Sequence, residues 1–418
     1  MATENSRGNS PENSRENTKA TLPELRLQLD EITDELVALF MKRFDIIDRV
    51  AEAKRETGFP VFDKTREDEI IRTAKEKAND NRRAPYVERL FLSFLDIYRG
   101  YQRSIMPAVS ENPDNNSDNT AEKKQPGKLP LSVIIDTALA RSGGETSAPT
   151  IAVPGAKGAF SHEAAAKMYP NGRFLFRENF DDVFTAVKNG ETDYGVVPIE
   201  NSSFGSVNDV YDLMKEGGLH ICRGLKLSVS QNLLAKPGTK LSDIREIVSH
   251  QQALGQSREF LRKLPGVKIT EFPNTALAAR FVSESDPNEK IAAVASAACA
   301  ELYGLEIVAA NIETNKNNFT RFISVGKEVG IKKSANRISI MMTLRHEPGS
   351  LFRLLSQFAA LGVNLQKLES RPLPGTEFRF LFYFDFEAAA GDGNITRLLS
   401  EIAAVNDSFV FLGWYESV

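Results

Sequence analysis

Apolar residues recur at intervals of three and four positions near the start of the chain, and this stripe constrains the fold more than any other feature. Its members are Leu22, Leu25, Leu29, Ile32, Leu36 and Leu39. The spacing is typical of a long amphipathic helix, and nothing interrupts it before Gly58-Phe59-Pro60. We therefore expect the segment from about residue 21 to 106 to be helical.

Arg43 takes the next position of the stripe, and a guanidinium on such a seam is costly unless an anion meets it. Lys54 lies within roughly 20° of the same helix face and about 16 Å further along, so both cations could converge on one small dianion. Arg26 is about 25 Å away and roughly 100° round the helix, so it could reach that ligand only from a partner chain. The alternative is that Arg43 pairs with an acid on a neighbouring helix.

The stretches "LRLQLDEITDELVALFMKRFDIIDRVAEAK", "VFDKTREDEII" and "YRGYQRS" resemble the all-helical, three-helix chorismate mutase family. That family is an intertwined dimer in which one arginine of each site crosses from the other subunit. The resemblance implies that Arg26 crosses and that Arg43 acts within its own chain, both clamping carboxylates. The rearrangement of chorismate to prephenate requires no nucleophile, only a compact conformer and positive charge near the breaking bond.

The same resemblance gives roles to other polar residues of this segment. Lys54 and Gln102 would donate to the ether oxygen of the substrate. The substrate hydroxyl and its surrounding network would be held by Asp63, Arg66 and Glu67. Tyr98 departs from the family pattern, because a small hydroxyl residue is usual at that position.

Composition excludes several classes of protein. The chain has 418 residues, 41 % hydrophobic residues and a net charge of −4, which suits two to four domains and gives no strong attraction to nucleic acid or a membrane surface. Cys222 and Cys299 are the only cysteines, which excludes a disulfide framework and suits a reducing, cytoplasmic compartment. No signal-like segment or apolar run of membrane-spanning length is present. We expect partners to be small molecules or other chains.

Two polar stretches predict disorder, because they cannot bury enough apolar surface to offset the entropy of ordering. They are residues 1–20 and "PAVSENPDNNSDNTAEKKQPGKLP". We assign 1–20 as a disordered tail and 107–148 as a linker. Within that linker "LSVIIDTALA" could form a short helix, and the sequence leaves this open.

Strands and helices alternate from residue 149 to about 330, which predicts an α/β domain of two lobes with a cleft. The stretches "GAKGAFSHEAA", "VVPIENSSFGSVNDVYDLM", "IVSHQQALGQSREFL" and "NNFTRFISVG" resemble prephenate dehydratase, with Ala156 in place of a usual proline. The resemblance implies a periplasmic-binding-protein-like fold and places the catalytic hydroxyl on Thr320. Substrate-binding positions would be Glu200, Asn201, Ser203, Ser249 and Gln256.

Prephenate loses its ring carboxylate as carbon dioxide and its hydroxyl as water, and the hydroxyl leaves readily only when it accepts a proton or a strong hydrogen bond. Because threonine is a very weak acid, Thr320 would act as a positioned donor or within a relay. Arg321 should point the opposite way on a strand and serve a structural role. Ser249-His250 could suggest a hydrolase, but no G-x-S-x-G elbow is present. The histidines show no metal-ligand spacing, and we expect neither metal nor cofactor.

Residues 335–418 alternate in the order βαββαβ, the ferredoxin-like arrangement. This α+β segment resembles an ACT domain, a regulatory amino-acid-binding module. The version linked to dehydratases carries an "ESRP" motif, present here as Glu369, Ser370, Arg371 and Pro372. A second motif, Gly-Ala-Leu-Val, appears as Gly349, Ser350, Leu351 and Phe352. In the family these motifs line a phenylalanine site between paired ACT domains. The alternative for Glu369 to Arg371 is a solvated strand end.

The three segments together resemble the bifunctional chorismate mutase/prephenate dehydratases. This implies chorismate and prephenate as substrates, L-phenylalanine as an inhibitory effector, and a homodimer or higher homo-oligomer. One rival is an arogenate dehydratase, which acts on the aminated substrate. A rival of another class is a non-catalytic amino-acid sensor, which would need neither Thr320 nor the set of mutase residues.

Overall fold

The structure is a computed structural model that describes residues 21–59, 63–105, 130–141, 147–373, 379–404, 406 and 408–418. The contacts divide the chain into two units, residues 1–123 and 124–418. The predicted tail and most of the predicted linker lie outside the described residues. Across the described ranges, no helix combines the length and the apolarity that a membrane crossing requires.

The first unit contains three helices, α1 (Leu22–Thr57), α2 (Lys64–Ala78) and α3 (Ala84–Ile105). Helix α1 begins where the backbone N–H of Thr21 donates to Glu24, 2.7 Å away, and ends at Gly58, whose φ of 69° is left-handed. Helix α2 begins at Asp63, whose carboxylate accepts from the backbone N–H of Arg66 at 3.0 Å. The all-helical prediction for this segment is confirmed.

Two faces of α1 differ in what covers them. Phe40 and Phe44 pack against Tyr98 of α3 with ring centroids 5.6 and 5.1 Å apart. The apolar stripe predicted from the sequence is instead 44–62 % exposed within the single chain. The three helices therefore do not cover the surface that the periodicity of α1 marks for burial.

The second unit combines ten helices with fifteen strands among its described residues. The helices are α4 (Leu131–Ala140), α5 (Phe160–Met168), α6 (Phe180–Asn189), α7 (Asn208–Lys215), α8 (Gln251–Gln256), α9 (Arg258–Leu261), α10 (Thr275–Glu284), α11 (Ala297–Tyr303), α12 (Ser350–Ala360) and α13 (Gly393–Ala404). The strands are β1 (Thr150–Pro154), β2 (Arg173–Arg177), β3 (Tyr194–Asn201), β4 (Gly205–Ser206), β5 (His220–Ser228), β6 (Asn232–Ala235), β7 (Glu246–Ser249), β8 (Lys268–Glu271), β9 (Ile291–Ala295), β10 (Glu306–Ala309), β11 (Phe319–Gly326), β12 (Arg337–Thr343), β13 (Leu365–Pro372), β14 (Phe380–Glu387) and β15 (Val410–Ser417).

These strands form two sheets. A five-stranded sheet has the order β10-β6-β9-β7-β8, and a ten-stranded sheet has the order β13-β14-β12-β15-β5-β11-β3-β1-β2 with β4 paired to β3. The chain passes from the larger sheet to the smaller one after β5 and returns before β11. The predicted α/β segment is therefore two lobes, one built on β1–β5 and β11 and the other on β6–β10.

The last four strands have the predicted ferredoxin-like arrangement. Strands β12 to β15 pair antiparallel in the order β13-β14-β12-β15, with α12 and α13 as the intervening helices. Strand β15 also pairs in parallel with β5, joining Glu416 to Arg223. This pairing makes one continuous sheet of the first lobe and the C-terminal domain. The predicted turn at Pro374-Gly375 lies outside the described residues.

Helix α4 belongs to the C-terminal core. Ile135 is fully buried and Ala138 is 3 % exposed, in the same apolar cluster as Phe384 and Trp414. The assignment of 107–148 as a linker is therefore wrong for residues 131–140, because their apolar side chains close the core of the ferredoxin-like domain. The sequence had left this short helix open.

Candidate active sites

Thr320 and Asn201 lie opposite each other on the paired strands β11 and β3. The Asn201 amide Nδ2 donates to Thr320 Oγ1 at 2.8 Å and to Asn318 Oδ1 at 3.0 Å. Its Oδ1 accepts from the backbone N–H groups of Ser203 and Phe204, which fixes the orientation of the amide. Because the hydroxyl oxygen of Thr320 accepts, its proton remains available for donation to a ligand.

A cavity of about 310 Å³ lies next to this cluster, between the two lobes. Ser203 and Asn318 line it from the first lobe, and Gln256 lines it from the second. Gln256 Oε1 accepts from Gln231 Nε2 at 2.9 Å, so the amide nitrogen of Gln256 stays free to donate. Ser203 and Gln256 thus line one cavity, and the bonded pair Asn201 and Thr320 is connected to it through Asn318 and Ser203. Their contact with substrate stays a prediction.

Two predicted substrate-binding residues lie elsewhere. Ser249 is fully buried, and its hydroxyl donates to the carbonyl of Val294 at 2.6 Å, inside the second lobe. Glu200 points to the opposite face of β3 from Asn201, where its carboxylate lies 2.7 Å from Lys367 Nζ. Since successive side chains of a strand point to opposite faces, Glu200 cannot face the cleft together with Asn201. The predicted contact of Glu200 with substrate is therefore wrong for this conformation.

Arg321 also faces away from the cleft, which confirms the prediction of a structural role. Its guanidinium forms an ion pair with Asp385 and donates to the hydroxyl of Tyr415 at 2.8 Å. Both partners belong to the C-terminal domain and are almost completely buried. The side chains of Thr320 and Arg321 thus point to opposite faces of β11, Thr320 towards Asn201 and Arg321 towards the C-terminal domain.

In the helical unit, Arg43 is half-buried and lies over the ring of Tyr98, with 5.1 Å from its Cζ to the ring centroid. Among the described residues Arg43 has no ion pair, so the alternative of an acid on a neighbouring helix is not what the structure shows. The Tyr98 hydroxyl is buried and has no hydrogen-bond partner within the described ranges. Arg26 is exposed on the same helix.

Acidic and basic side chains from the end of α1, the start of α2 and α3 lie close together in the helical unit. Burial lowers the pKa of Lys54, while the charges of Asp63 and Glu67 oppose that shift. Burial also raises the pKa of Glu67, against the effect of Arg99, which forms a 3.0 Å ion pair with it. Lys54, Asp63 and Glu67 are therefore close enough to interact electrostatically, and Gln102 is buried on α3.

Arg66 departs from its predicted place. Its guanidinium is exposed and pairs with Glu69 at 2.5 Å, so it does not join Glu67. Arg99 is the arginine that contacts Glu67, and sequence reasoning missed it although it lies in the quoted stretch "YRGYQRS". Asn318 was missed in the same way within "NNFTRF", because an asparagine next to a strand is a common turn residue.

Comparison with known proteins identifies a family for each of the two enzymatic domains. A family model for type II chorismate mutase matches residues 25–103, and one for prephenate dehydratase matches residues 151–329. A bifunctional chorismate mutase/prephenate dehydratase of Aquifex aeolicus is 28 % identical over 94 % of this chain and 97 % of its own length. An arogenate dehydratase/prephenate dehydratase of Arabidopsis thaliana is 37 % identical over 72 % of this chain and 84 % of its own.

The chain belongs to the bifunctional chorismate mutase/prephenate dehydratase family. It is therefore an enzyme with both a chorismate mutase and a prephenate dehydratase domain. A solved prephenate dehydratase of Arthrobacter aurescens in complex with L-Phe has 30 % identity and a TM-score of 0.58, covering 64 % of this chain and 89 % of that one. A structure described as a quorum quenching acylase has 32 % identity and the same TM-score, covering 64 % and 98 %.

The C-terminal domain of this bifunctional enzyme holds a second cavity of about 380 Å³. Ser350 and Leu351 line it at the start of α12, beside Phe380 and Phe382. Gly349 precedes the helix with a φ of 83°, which favours glycine, and Phe352 is 46 % exposed. Part of the predicted phenylalanine site therefore borders a cavity in the single chain.

The predicted "ESRP" residues point to two faces of β13. Glu369 accepts from the Ser206 hydroxyl at 2.6 Å, and Arg371 pairs with Asp212 at 2.9 Å. Ser370 and Pro372 alternate with them and are exposed. The motif is thus not a solvated strand end, because two of its side chains contact the first lobe. Those two cannot, in this conformation, meet the same ligand as Ser370 and Pro372.

Proposed function

We propose that this enzyme converts chorismate to prephenate in its helical unit and prephenate to phenylpyruvate in its cleft, with Thr320 donating a hydrogen bond to the departing hydroxyl. The observation that carries the dehydratase assignment is the hydrogen bond from Asn201 to Thr320 Oγ1. It leaves the threonine proton available for donation, next to a cavity of about 310 Å³ that Ser203, Gln256 and Asn318 line.

The rearrangement of chorismate to prephenate in the helical unit requires no proton transfer. Arg43, Lys54 and Gln102 would hold the substrate dianion in a compact conformer and stabilise the ether oxygen as its bond breaks. The unpartnered Tyr98 hydroxyl, which replaces the smaller residue usual in the family, would add a donor beside Arg43.

The test is to supply chorismate alone to the full chain and to follow phenylpyruvate. We expect prephenate to appear first and phenylpyruvate to follow without added enzyme. Accumulation of prephenate with no phenylpyruvate would contradict the dehydratase assignment, and unchanged chorismate would contradict the mutase assignment.

Arogenate is the second candidate substrate, since relatives in Arabidopsis thaliana carry the arogenate dehydratase name. The mutase domain on the same chain favours prephenate, because its product is then formed by the same molecule. Turnover of the two purified substrates should show a higher kcat/KM for prephenate. A higher value for arogenate would reverse the assignment.

The proposal includes a homodimer built on α1. The apolar stripe of this helix is 44–62 % exposed in one chain, and the exposed Arg26 lies too far along α1 to reach the ligand of Arg43. A partner's antiparallel α1 would cover the stripe and bring its own arginine to the site. Sedimentation equilibrium should give at least twice the mass of the chain, and a monomer would contradict this arrangement.

Phenylalanine inhibition is the last part of the proposal. The cavity beside Ser350 and Leu351 and the exposed Ser370 and Pro372 would form the effector site between paired C-terminal domains. The effector inhibits if it binds a less active arrangement more tightly. We expect added phenylalanine to lower the dehydratase rate while the mutase rate serves as the internal control. An unchanged dehydratase rate at saturating phenylalanine would remove this part of the proposal. We also propose a cytoplasmic location, because a chain whose only cysteines are Cys222 and Cys299 suits a reducing compartment.

A further inference from the structure

The cleft residues and the C-terminal contacts are adjacent on the same two strands. On β11 and β3, Thr320 pairs with Asn201, and the next pair is Arg321 with Glu200. Asn201 of the first pair bonds to Asn318 and Ser203, which line the cleft. The second pair meets the C-terminal domain, since neighbouring side chains alternate between the two faces. Any displacement of the second pair therefore moves the backbone that carries the first.

The contacts of Arg321 are buried and come from the C-terminal domain. Its guanidinium pairs with the fully buried Asp385 and donates to Tyr415. Ser339, also fully buried, connects this group through hydrogen bonds to Tyr415 at 2.8 Å and to Tyr383 at 2.9 Å. A buried guanidinium without its counter-charge is strongly unfavourable, so these partners fix where Arg321 lies.

The contacts of Glu200 form a second connection to the C-terminal domain, in addition to that of Arg321. Lys367 of β13 lies 2.7 Å from the Glu200 carboxylate and donates to Ser206 of β4 at 2.8 Å. Strands β3 and β4 flank the turn that contains Ser203 and Phe204, whose N–H groups orient Asn201. Lys367 therefore ties both sides of that turn to the C-terminal sheet.

A β-bulge lies at the same place. The pairing shifts register so that Arg321 is opposite Glu200 while Phe322 is opposite Pro198, which leaves Ile199 as an extra residue on β3. Pro198 cannot donate to the sheet, and bulges re-aim the side chains beside them. The directions of the Asn201 and Thr320 side chains thus depend on an irregular backbone. The contacts of Arg321 and Glu200 with the C-terminal domain hold that backbone in place.

We propose that Arg321–Asp385 and Glu200–Lys367 are positioning contacts of the dehydratase reaction, through which the C-terminal domain sets the direction of the Thr320 hydroxyl and the Asn201 amide. The C-terminal domain is then a structural part of the dehydratase site and not only a module for an effector. This inference rests on the proposed role of Thr320.

The test is Asp385→Asn in the full chain, which keeps the shape of the side chain and removes its charge. We expect kcat for prephenate to fall by about 10- to 100-fold, since a small misplacement of a reacting group has effects of that size. KM should change little, because the lining of the cavity is intact, and the mutase rate should not change. The matched control is Asp212→Asn, which removes the exposed partner of Arg371 at the same boundary and should leave kcat within about twofold.

A double-mutant comparison separates positioning from general damage. In the Thr320→Ala background, Asp385→Asn should have a much smaller further effect on residual turnover, because of the two groups it positions only the Asn201 amide remains. A wild-type kcat for Asp385→Asn, or an equal loss in both backgrounds, would overturn the inference. Full activity of Thr320→Ala would instead overturn the proposed role of Thr320.

If Asp385→Asn does not fold, Lys367→Gln carries the same test at a less buried position. A lower kcat with an unchanged KM supports the inference, and a wild-type kcat overturns it. Far-ultraviolet circular dichroism and the mutase rate establish that each variant is folded.

Discussion

The two units satisfy their sequence patterns in different ways. In the helical unit the apolar stripe of α1 is exposed, and Arg26 lies about 25 Å along the helix from Arg43, too far to meet the same ligand from one straight helix. In the second unit the polar residues of the cleft find their partners in the same chain, as Asn201 does with Thr320 and Asn318. The comparison teaches that one chain brings the proposed dehydratase residues together, whereas we expect the mutase site to require two chains.

The largest expected effect is on the site built by one chain. Thr320→Ala should lower dehydratase kcat by about a thousandfold, because a hydrogen-bond donor to the leaving group is lost. The mutase rate should not change. The measurement is phenylpyruvate formation from prephenate, with prephenate formation from chorismate as the control.

Thr320→Ser is the matched variant for this prediction. It keeps the hydroxyl and the acceptor for Asn201, so it should retain much more turnover than Thr320→Ala. Equal losses in the two variants would show that the methyl group or the packing of Thr320, and not its hydroxyl, is what the reaction needs.

The next effect concerns the site expected to need two chains. Arg26→Ala and Arg43→Ala should each lower the mutase rate by about a hundredfold or more, because each removes a carboxylate clamp. When the two variants are expressed together, mixed dimers contain one intact site. Random mixing should then restore about a quarter of the wild-type mutase rate.

Failure of this complementation would mean that both arginines of a mutase site come from the same chain. The mutase site would then need only one chain, as the proposed dehydratase site does. The dehydratase rate should be the same in all of these preparations, because its proposed residues are not altered. It therefore reports the amount of folded enzyme in each mixture.

The smallest expected effect is a pH shift in the mutase reaction. Burial lowers the pKa of Lys54, so the cation is lost at a lower pH than for an ordinary lysine. The kcat/KM for chorismate should therefore decline on the alkaline side below the usual lysine range, since this ratio reports the free enzyme. The alkaline limb of the dehydratase profile should not follow it.

Lys54→Arg tests the assignment of that limb. Arginine keeps its charge to higher pH, so the alkaline decline should move upward even if the altered geometry lowers the maximum rate. The same alkaline limb in both proteins would show that another group titrates there.

Local patterns were sufficient for much of the architecture. The stripe from Leu22 to Leu39 predicted α1, and the order βαββαβ predicted the C-terminal fold. Strand alternation also separated Thr320 from Arg321 correctly. The same rule applied to Glu200 and Asn201 would have corrected the placement of Glu200, because these two are also neighbours on one strand.

Contacts between distant parts of the chain decided the features that local patterns did not predict. Nothing in "LSVIIDTALA" shows that α4 packs against Trp414, and nothing local shows that Arg99 rather than Arg66 contacts Glu67. These outcomes depend on which elements meet, and a helix face or a charged side chain is compatible with several partners.

The sequence by itself determined most of the elements and the two enzymatic domains, because periodicity and motif spacing are local properties of the chain. Its resemblance to prephenate dehydratase supplied the proposed role of Thr320. Only the tertiary structure decided that the C-terminal sheet continues into the first lobe through β15 and β5, and that Arg321 and Glu200 are held by Asp385 and Lys367. The physical reason is that pairing of distant strands and burial of opposite charges depend on three-dimensional packing, which no short stretch of the sequence specifies.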